Sequence, residues 1–333
     1  MTLFDRRGGL LALCLLSFFF STIISPALAQ DTAAQHSSEA GPQKADDEGR
    51  TRLPMEVRKS VSFREIGPAI SGGRVPAVVG VAGNPDIYYI GAADGGVFRT
   101  NDGGITWKAL FQHESVLSIG ALAVDPLNPN IVWAGTGEAN VRNTVSPGNG
   151  IYKSTDGGGH WKRMGLEGTY QISHVVIDPH HPNTVLVAAM GSPWADSAER
   201  GVYRTTDGGA TWQKVLYLAP SVGIADLVMD PQNPQVLYAA AYQFRRQPWT
   251  YSGGGPEDAI YKSFDQGQTW KRLSGHGLPE KPVARIGLAI APSSPNTVYA
   301  VMGSTEGVLW RTDDAGEHWS LVSKDEEADV RPF

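Results

Sequence analysis

A chain of 333 residues with a formal net charge of −6, 39 glycines, 22 prolines and a single cysteine has room for one large domain or two ordinary ones. No basic stripe stands out, which removes the electrostatic case for nucleic acid as a partner. Long amphipathic helical runs are missing, and short apolar runs bounded by turn residues favour an all-β fold.

In chain order, residues 1–29 have the form of an export signal: Arg6 and Arg7, then an apolar run from Leu10 to Ile24, then the small-x-small site Ala27-Leu28-Ala29. Cleavage is expected before Gln30. The apolar run is short for a membrane span, so the mature chain is expected to keep no stable span and to work outside the cytoplasm, in the periplasm or secreted. Gly8-Gly9 is a poor continuation for twin-arginine export, and Leu13 is too bulky for a lipoprotein site at Cys14. Since Cys14 is the only cysteine, the mature chain has no disulfide or thiolate chemistry. Residues 30–60 are small and polar and read as a flexible leader.

The remainder is a repeat. TNDGGITW at 100–107 returns as STDGGGHW at 154–161, TTDGGATW at 205–212, SFDQGQTW at 263–270 and TDDAGEHW at 312–319. Each copy is preceded by the same pieces. Strand A is an apolar run (Ala121–Val124, His174–Ile177, Asp226–Met229, Gly287–Ile290), followed by a proline turn (DPLNPN, DPHHPN, DPQNPQ, APSSPN). Strand B (IYYIGA, IVWAG, TVLVAA, VLYAAA, TVYAVM) and strand C (GVFRT, GIYKS, GVYRT, AIYKS, VLWRT) come next, and the quoted motif turns into strand D. The aspartates Asp102, Asp156, Asp207, Asp265 and Asp314 are spaced by 54, 51, 58 and 49 residues. Four antiparallel strands per unit of this length are the signature of a β-propeller blade. Five blades are expected at 61–113, 114–167, 168–219, 220–279 and 280–324.

Within each motif the Asp is expected to bracket the C–D hairpin by accepting backbone N–H groups. The glycines supply positive φ, and Trp107, Trp161, Trp212, Trp270 and Trp319 pack back on the sheet. Propeller topology puts these staples on the same face as the proline turns. Phe63-Arg64-Glu65-Ile66-Gly67 resembles a D strand such as Trp161-Lys162-Arg163-Met164-Gly165. Six D-like strands against five A strands predict that residues 325–333 begin a further blade and that a C-terminal remainder of the same protein is a partner. The alternative is a closed five-bladed ring with a spare strand.

The pattern Ser/Thr-x-Asp-x-Gly-x-Thr-Trp resembles the Asp-box of sialidases, xyloglucanases, sortilin-type receptors and a photosystem II assembly factor. Residues 66–74 (IGPAISGGR) and 135–143 (GTGEANVRN) resemble large secreted bacterial propellers with sortilin-like repeats, often named glycosyl hydrolases. The likeness covers about residues 61–333. It implies the fold; one fold hosts many functions.

Function is expected on the face opposite the staples. There the B–C loops 136–150, 190–201 and 241–259 are long, whereas 92–96 and 303–307 are short, and long loops tend to be functional. The long loops carry Glu138, Asn140, Arg142, Trp194, Asp196, Glu199, Arg200, Arg245, Arg246, Trp249 and Tyr251, and the starts of strand A add Arg74, His174, Asp226 and Arg285. His174 and Asp226 share a register in neighbouring blades and can pair, either as an ion pair between blades or as part of a ligand site. The residues suit a protein, peptide or carbohydrate ligand. The sequence has no metal-binding pattern, cofactor motif or nucleophile elbow. The expected function is a recognition scaffold without a catalytic site. The alternative is a glycoside hydrolase, sialidase- or xyloglucanase-like, working through carboxylates of the long loops, with Glu138, Asp226 and Glu199 as candidates. Hydrolysis needs two carboxylates across a cleft at a separation set by the mechanism.

Overall fold

Each of the five repeats closes into its own antiparallel sheet in the computed structural model, which describes residues 73–325 apart from 141, 143 and 281. Strands β1 (Ala77–Val81), β2 (Asn84–Ala92), β3 (Gly96–Thr100) and β4 (Lys108–Ala109) make blade 1. Blade 2 is β5 (Ile119–Val124), β6 (Val132–Thr136), β7 (Ile151–Ser154) and β8 (Lys162–Arg163). Blade 3 is β9 (Ile172–Ile177), β10 (Val185–Ala189), β11 (Gly201–Thr205) and β12 (Gln213–Leu216). Blade 4 is β13 (Val222–Met229), β14 (Leu237–Gln247), β16 (Ile260–Ser263) and β17 (Lys271–Arg272), with the extra strand β15 (Thr250–Gly253) on β14. Blade 5 is β18 (Ile286–Ile290), β19 (Val298–Met302), β20 (Leu309–Thr312) and β21 (Ser320–Ser323). Among the described residues the only helical piece is a 3-10 turn at Glu167–Thr169. The proposed D-like strand at 63–67 and the residues beyond 325 lie outside the described residues.

The A strands run side by side around the axis, and the core lies between blades. One buried cluster joins Tyr89, Val97 and Phe111 of blade 1 to Ile119, Val132 and Tyr152 of blade 2; similar clusters join blades 2 and 3, 3 and 4, and 4 and 5. This explains why strands A and B are almost continuously apolar: both faces are covered. Blade spacing is tight enough to demand glycine. A Cβ on Gly91 would sit 2.4 Å from Cγ2 of Ile119, and one on Gly135 would sit 2.4 Å from Cγ2 of Ile172.

A polar joint repeats beside each apolar cluster. The residue after the box aspartate takes a positive φ in all five blades: Gly103, Gly157, Gly208, Gln266 and Ala315. Its N–H donates to the A–B turn of its own blade. In blades 2 to 5 its carbonyl is held by the preceding blade, through a cation on strand C. Tyr89 and Arg99 of blade 1 both donate to Gly157 O at 3.2 Å. Lys153 of blade 2, over the Trp133 ring, donates to Gly208 O at 3.2 Å. Arg204 of blade 3 donates to Gln266 O at 3.0 Å, and Tyr238 and Lys262 of blade 4 both reach Ala315 O at 2.6 Å. The clamp residues are cross-strand partners: Tyr89 with Arg99, Trp133 with Lys153, Leu186 with Arg204 and Tyr238 with Lys262. Each staple of blades 2 to 5 therefore serves two blades.

Candidate functional site

The two faces differ in chemistry. On the staple face, Asp102 Oδ1 accepts the Thr100 hydroxyl at 2.8 Å and the Thr106 N–H at 2.9 Å, and Oδ2 accepts the Thr106 hydroxyl at 2.6 Å. Hydrogen bonds from the Thr106 hydroxyl, its N–H and the Thr100 hydroxyl hold this carboxyl down at about 2. Asp156, Asp207, Asp265 and Asp314 repeat the arrangement. His160 and His318 replace threonine by placing Nδ1 2.6 and 2.8 Å from the carboxylate. Each carboxylate clasps its own bend, and none shares a pocket with another. Among the described residues no group of three or more His, Cys, Asp or Glu is arranged to hold a metal. The tryptophans do more than cover their own sheet: Trp161 and Trp212 donate to Leu110 O and Met164 O of the preceding blade, at 3.0 and 2.7 Å. Trp107 and Trp270 donate within their own turns, to Gly104 O and Gly267 O. The buried Trp319 Nε1 has no acceptor among the described residues.

At the opposite end, strands β5, β9 and β13 each carry a bulge at an equivalent place, at Gly120, Ser173 and Ala225. Bulges re-aim the neighbouring side chains and gather at functional ends of sheets. These three line a cavity of about 150 Å³ together with Pro76, Ala139, Asn140, His174, Asp226, Arg285 and Gly287. Sequence periodicity does not show a one-residue bulge, which is why this shaping of the mouth is absent from the sequence reading.

Of the predicted residues, Asn140, His174, Asp226 and Arg285 line this cavity, and the Arg74–Glu138 pair flanks it, Glu138 close enough for its charge to act on Arg285. Glu138 is buried and receives both Nε and Nη2 of Arg74, the first at 2.6 Å, while its N–H donates to Ser118 Oγ at 3.0 Å. The hydrogen bond to Glu138 raises the pKa of Arg74, opposed by burial. His174 Nδ1 lies 3.1 Å from Asp226 Oδ1, which also accepts the Leu227 N–H at 2.7 Å. Asp226 Oδ2 accepts the Leu288 N–H from blade 5 at 2.8 Å. The His174–Asp226 pair thus ties three blades together. Burial pulls the Arg285 guanidinium below its ordinary value, while Tyr242, Asp226, Tyr251 and Glu138 pull the other way; its Nη1 donates to Ala139 O at 3.5 Å.

Asp94 was missed because its turn between β2 and β3 is short. It is exposed, its negative charge raises the pKa of Arg74, and the neighbouring Ala93 N–H donates to Arg74 O at 2.9 Å. No hydrogen bond occupies its carboxylate among the described residues.

Farther out, residues 241–247 are not loop. They prolong β14 and pair with β15 in a hairpin that stands beyond the blade. The alternation in Tyr242-Gln243-Phe244-Arg245 is a strand signal: the Tyr242 and Phe244 rings stack inward with centroids 5.5 Å apart. Trp249 caps this hairpin, 79% exposed, with Trp194 at 38%. Arg245 ties them by donating to Trp194 O at 3.0 Å and pairing with Asp196. Arg246 lies over the Tyr251 ring at 5.6 Å, and its N–H donates to Pro193 O. Arg200, expected among the loop residues, is instead a fully buried brace. It donates to Ser192 O at 2.6 Å, Ala195 O at 3.2 Å and Ser221 O at 3.2 Å, and stacks on Phe244. Burial lowers its pKa to about 10.

Two further candidates join neither the mouth nor this outer hairpin. Glu199 accepts the Tyr203 hydroxyl at 2.6 Å and faces Lys214 at 3.8 Å, on the outer side of blade 3. Arg142 lies along the 137–150 loop but outside the cavity lining. A further carboxylate of the 241–259 segment, Asp258, lines a cavity of about 390 Å³ beside Ile260, Leu273 and Met302; burial pushes it up to about 7 against the N–H groups of Gln243 and Gly255.

Residues 203–214 and 261–272 match the BNR/Asp-box repeat family. A xyloglucanase of a Paenibacillus species is 24% identical over 294 residues, covering 79% of this chain and 27% of its own length. A xyloglucanase of Acetivibrio thermocellus is 26% identical over 286 residues, covering 74% of this chain and 32% of its own. The chain therefore spans about a third of the length of these curated relatives. Among solved structures, a GH74 enzyme of Niastella koreensis superposes with a TM-score of 0.55 at 20% identity, over 74% of this chain and 38% of that one, a likeness of fold. The relatives overturn the expected scaffold without a catalytic site: they are glycoside hydrolases, and the alternative reading fits them better. In fold and repeat type, this chain is a β-propeller built from BNR/Asp-box repeats.

Proposed function

We propose that this propeller acts as a glycoside hydrolase on a β-glucan of the xyloglucan class. The polysaccharide lies across the face that carries the mouth and the Trp194–Trp249 ridge. The observation that carries this reading is the mouth itself, where His174, Asp226 and Arg285 line the cavity, with the Arg74–Glu138 pair and the open Asp94 flanking it and exposed indoles farther out on the same face. Indole faces suit sugar rings, and the polar mouth suits the reacting bond. The likeness to xyloglucanases supports the substrate class.

The carboxylates divide by availability. Glu138 is buried with both oxygens taken by Arg74, and both oxygens of Asp226 accept contacts that join blades, so each is committed to a structural contact. We assign them to positioning: Glu138 fixes Arg74, and Asp226 fixes the blades around the mouth. Asp94 is open to solvent and is assigned the reacting role, either activating water or shuttling a proton. A two-carboxylate hydrolysis then draws its second group from outside the described mouth residues. The export signal expected at residues 1–29 fits action on an extracellular polymer.

The test is affinity electrophoresis of residues 30–333 in xyloglucan gels, beside release of reducing ends. Retardation by xyloglucan, with any turnover lowered by about 10²-fold or more in Asp94→Asn while retardation persists, supports the reading. No retardation would overturn the substrate class, and turnover indifferent to Asp94→Asn would overturn the role of that residue.

A further inference from the structure

Four Asp–Gly peptide bonds occur in the chain: Asp94-Gly95, Asp102-Gly103, Asp156-Gly157 and Asp207-Gly208. In such a pair the side-chain carboxyl and the next backbone nitrogen are close enough to join in a ring, and glycine has no Cβ to obstruct the approach. Three of the four belong to Asp-boxes, where both reacting groups are taken. Asp102, Asp156 and Asp207 each accept the hydroxyl two residues earlier, the N–H four residues later and the side chain of that same later residue. These bonds, those from Thr106, His160 and Thr205 foremost, hold the three carboxyls ionised below the ordinary carboxylate range. The glycine nitrogens are occupied as well. Gly103, Gly157 and Gly208 donate to Asp86 O, Asn130 O and Asn183 O at 3.0, 2.8 and 3.0 Å.

Asp94-Gly95, in the turn between β2 and β3, has neither restraint. Among the described residues nothing donates to the Asp94 carboxylate and nothing accepts the Gly95 N–H. The turn is held on either side of this bond: Ala93 N–H donates to Arg74 O at 2.9 Å, Gly96 N–H to Leu117 O at 2.8 Å, and Gln112 Nε2 to Gly95 O at 3.0 Å. Exposure does not set the pair apart, since Asp156 and Asp207 are as exposed as Asp94. Engagement of the two reacting groups does.

We propose that Asp94-Gly95 is a site of spontaneous aspartate isomerisation from which the boxes are protected. The Gly95 nitrogen bonds to Cγ of Asp94, and one carboxyl oxygen leaves as water, carrying the nitrogen's proton and the carboxyl's own. A second water then adds to either carbonyl of the succinimide. Opening at Cγ restores aspartate. Opening at the other carbonyl breaks the original peptide bond and leaves isoaspartate of unchanged mass, with the chain running through Cβ and the free carboxylate on Cα. The backbone gains one carbon in a turn fixed at both shoulders, and the carboxylate changes place. On the reading that Asp94 is the reacting group, the same event removes that group from the mouth.

Ageing the purified chain in heavy-oxygen water, followed by peptide mapping of label and isoaspartate at each Asp–Gly bond, tests it. Labelling at Asp94 is expected at least about tenfold faster than at any box. In denaturant the four bonds should label at similar rates. Gly95 takes no positive φ, so Gly95→Ala fits the turn, and its Cβ should slow labelling at Asp94 by about tenfold; unchanged melting confirms that this variant folds. Equal labelling of the four bonds in the folded chain overturns the proposal, as does the same preference for Asp94 in denaturant. The mapping needs no turnover. A chain that labels at Asp94 but never cleaves xyloglucan overturns the proposed activity and leaves the isomerisation standing, whereas a chain that cleaves it without labelling at Asp94 does the reverse. In an active chain, turnover should fall in step with isoaspartate content.

Discussion

Asp102 and Asp258 respond to pH in opposite senses. The Asp102 carboxyl is depressed to about 2, so its contribution to stability is whole above the unfolded value of about 4 and is lost as pH falls toward about 2. With five such staples, melting temperature is expected to drop steadily across that acid window, and Asp102→Asn should flatten the drop. Asp258 is raised to about 7. Its unfolded form ionises first, so stability falls as pH rises from about 4 toward 7; in Asp258→Asn this loss should vanish from the melting profile. The boxes also show why sequence departures arise where they do. Ala315 holds a φ of 58°, a conformation that glycine adopts without strain. Ala315→Gly is expected to change stability by no more than about 1 kcal/mol in either direction, because relief of strain opposes lost chain stiffness; chemical denaturation measures it.

Strands A, B and C were legible in the sequence because burial on both faces leaves continuous apolar runs, and the box residues fix the C–D turn. Strand D was legible in place but not in length: β4, β8 and β17 have only two residues each, whereas β12 and β21 have four. The β14–β15 hairpin is not legible as strand because its aromatic and basic content masks its two-residue alternation. At this scale blade spacing is open to test. Gly91→Ala and Gly135→Ala each drive a methyl into an isoleucine of the next blade and should cost about 1–3 kcal/mol. Gly80→Ala, with nothing within 4 Å of the added methyl, should cost far less. Denaturant unfolding of the three variants makes the comparison. Arg200→Ala removes three carbonyl contacts and a stacked cation from beneath the Trp194 loop and should cost about 2–3 kcal/mol; hydrogen exchange at residues 192–198 should rise with it.

Across the whole molecule, the repeat made the fold readable, whereas the working face was only partly so. The mouth residues Arg74, Glu138, His174, Asp226 and Arg285 could be gathered from their places in the repeat, since equivalent registers converge on the axis. Their pairings could not be read: whether a carboxylate is engaged or open depends on distances between blades, and the proposal gives the reacting role to Asp94 rather than Glu138 on that ground. Composition could not separate a binder from a hydrolase either, because both need aromatic and charged groups on one face.

The interblade clamp bears on how such a chain grows. Each repeat brings a cation for the unit after it and a carbonyl for the unit before it, so a copied unit inserted by recombination finds both of its connections ready made. Blade 3, where Leu186 stands in place of an aromatic beside Arg204, shows that the basic residue alone keeps the connection. Lineages can therefore lengthen or shorten a ring by whole units while neighbouring units need no compensating change.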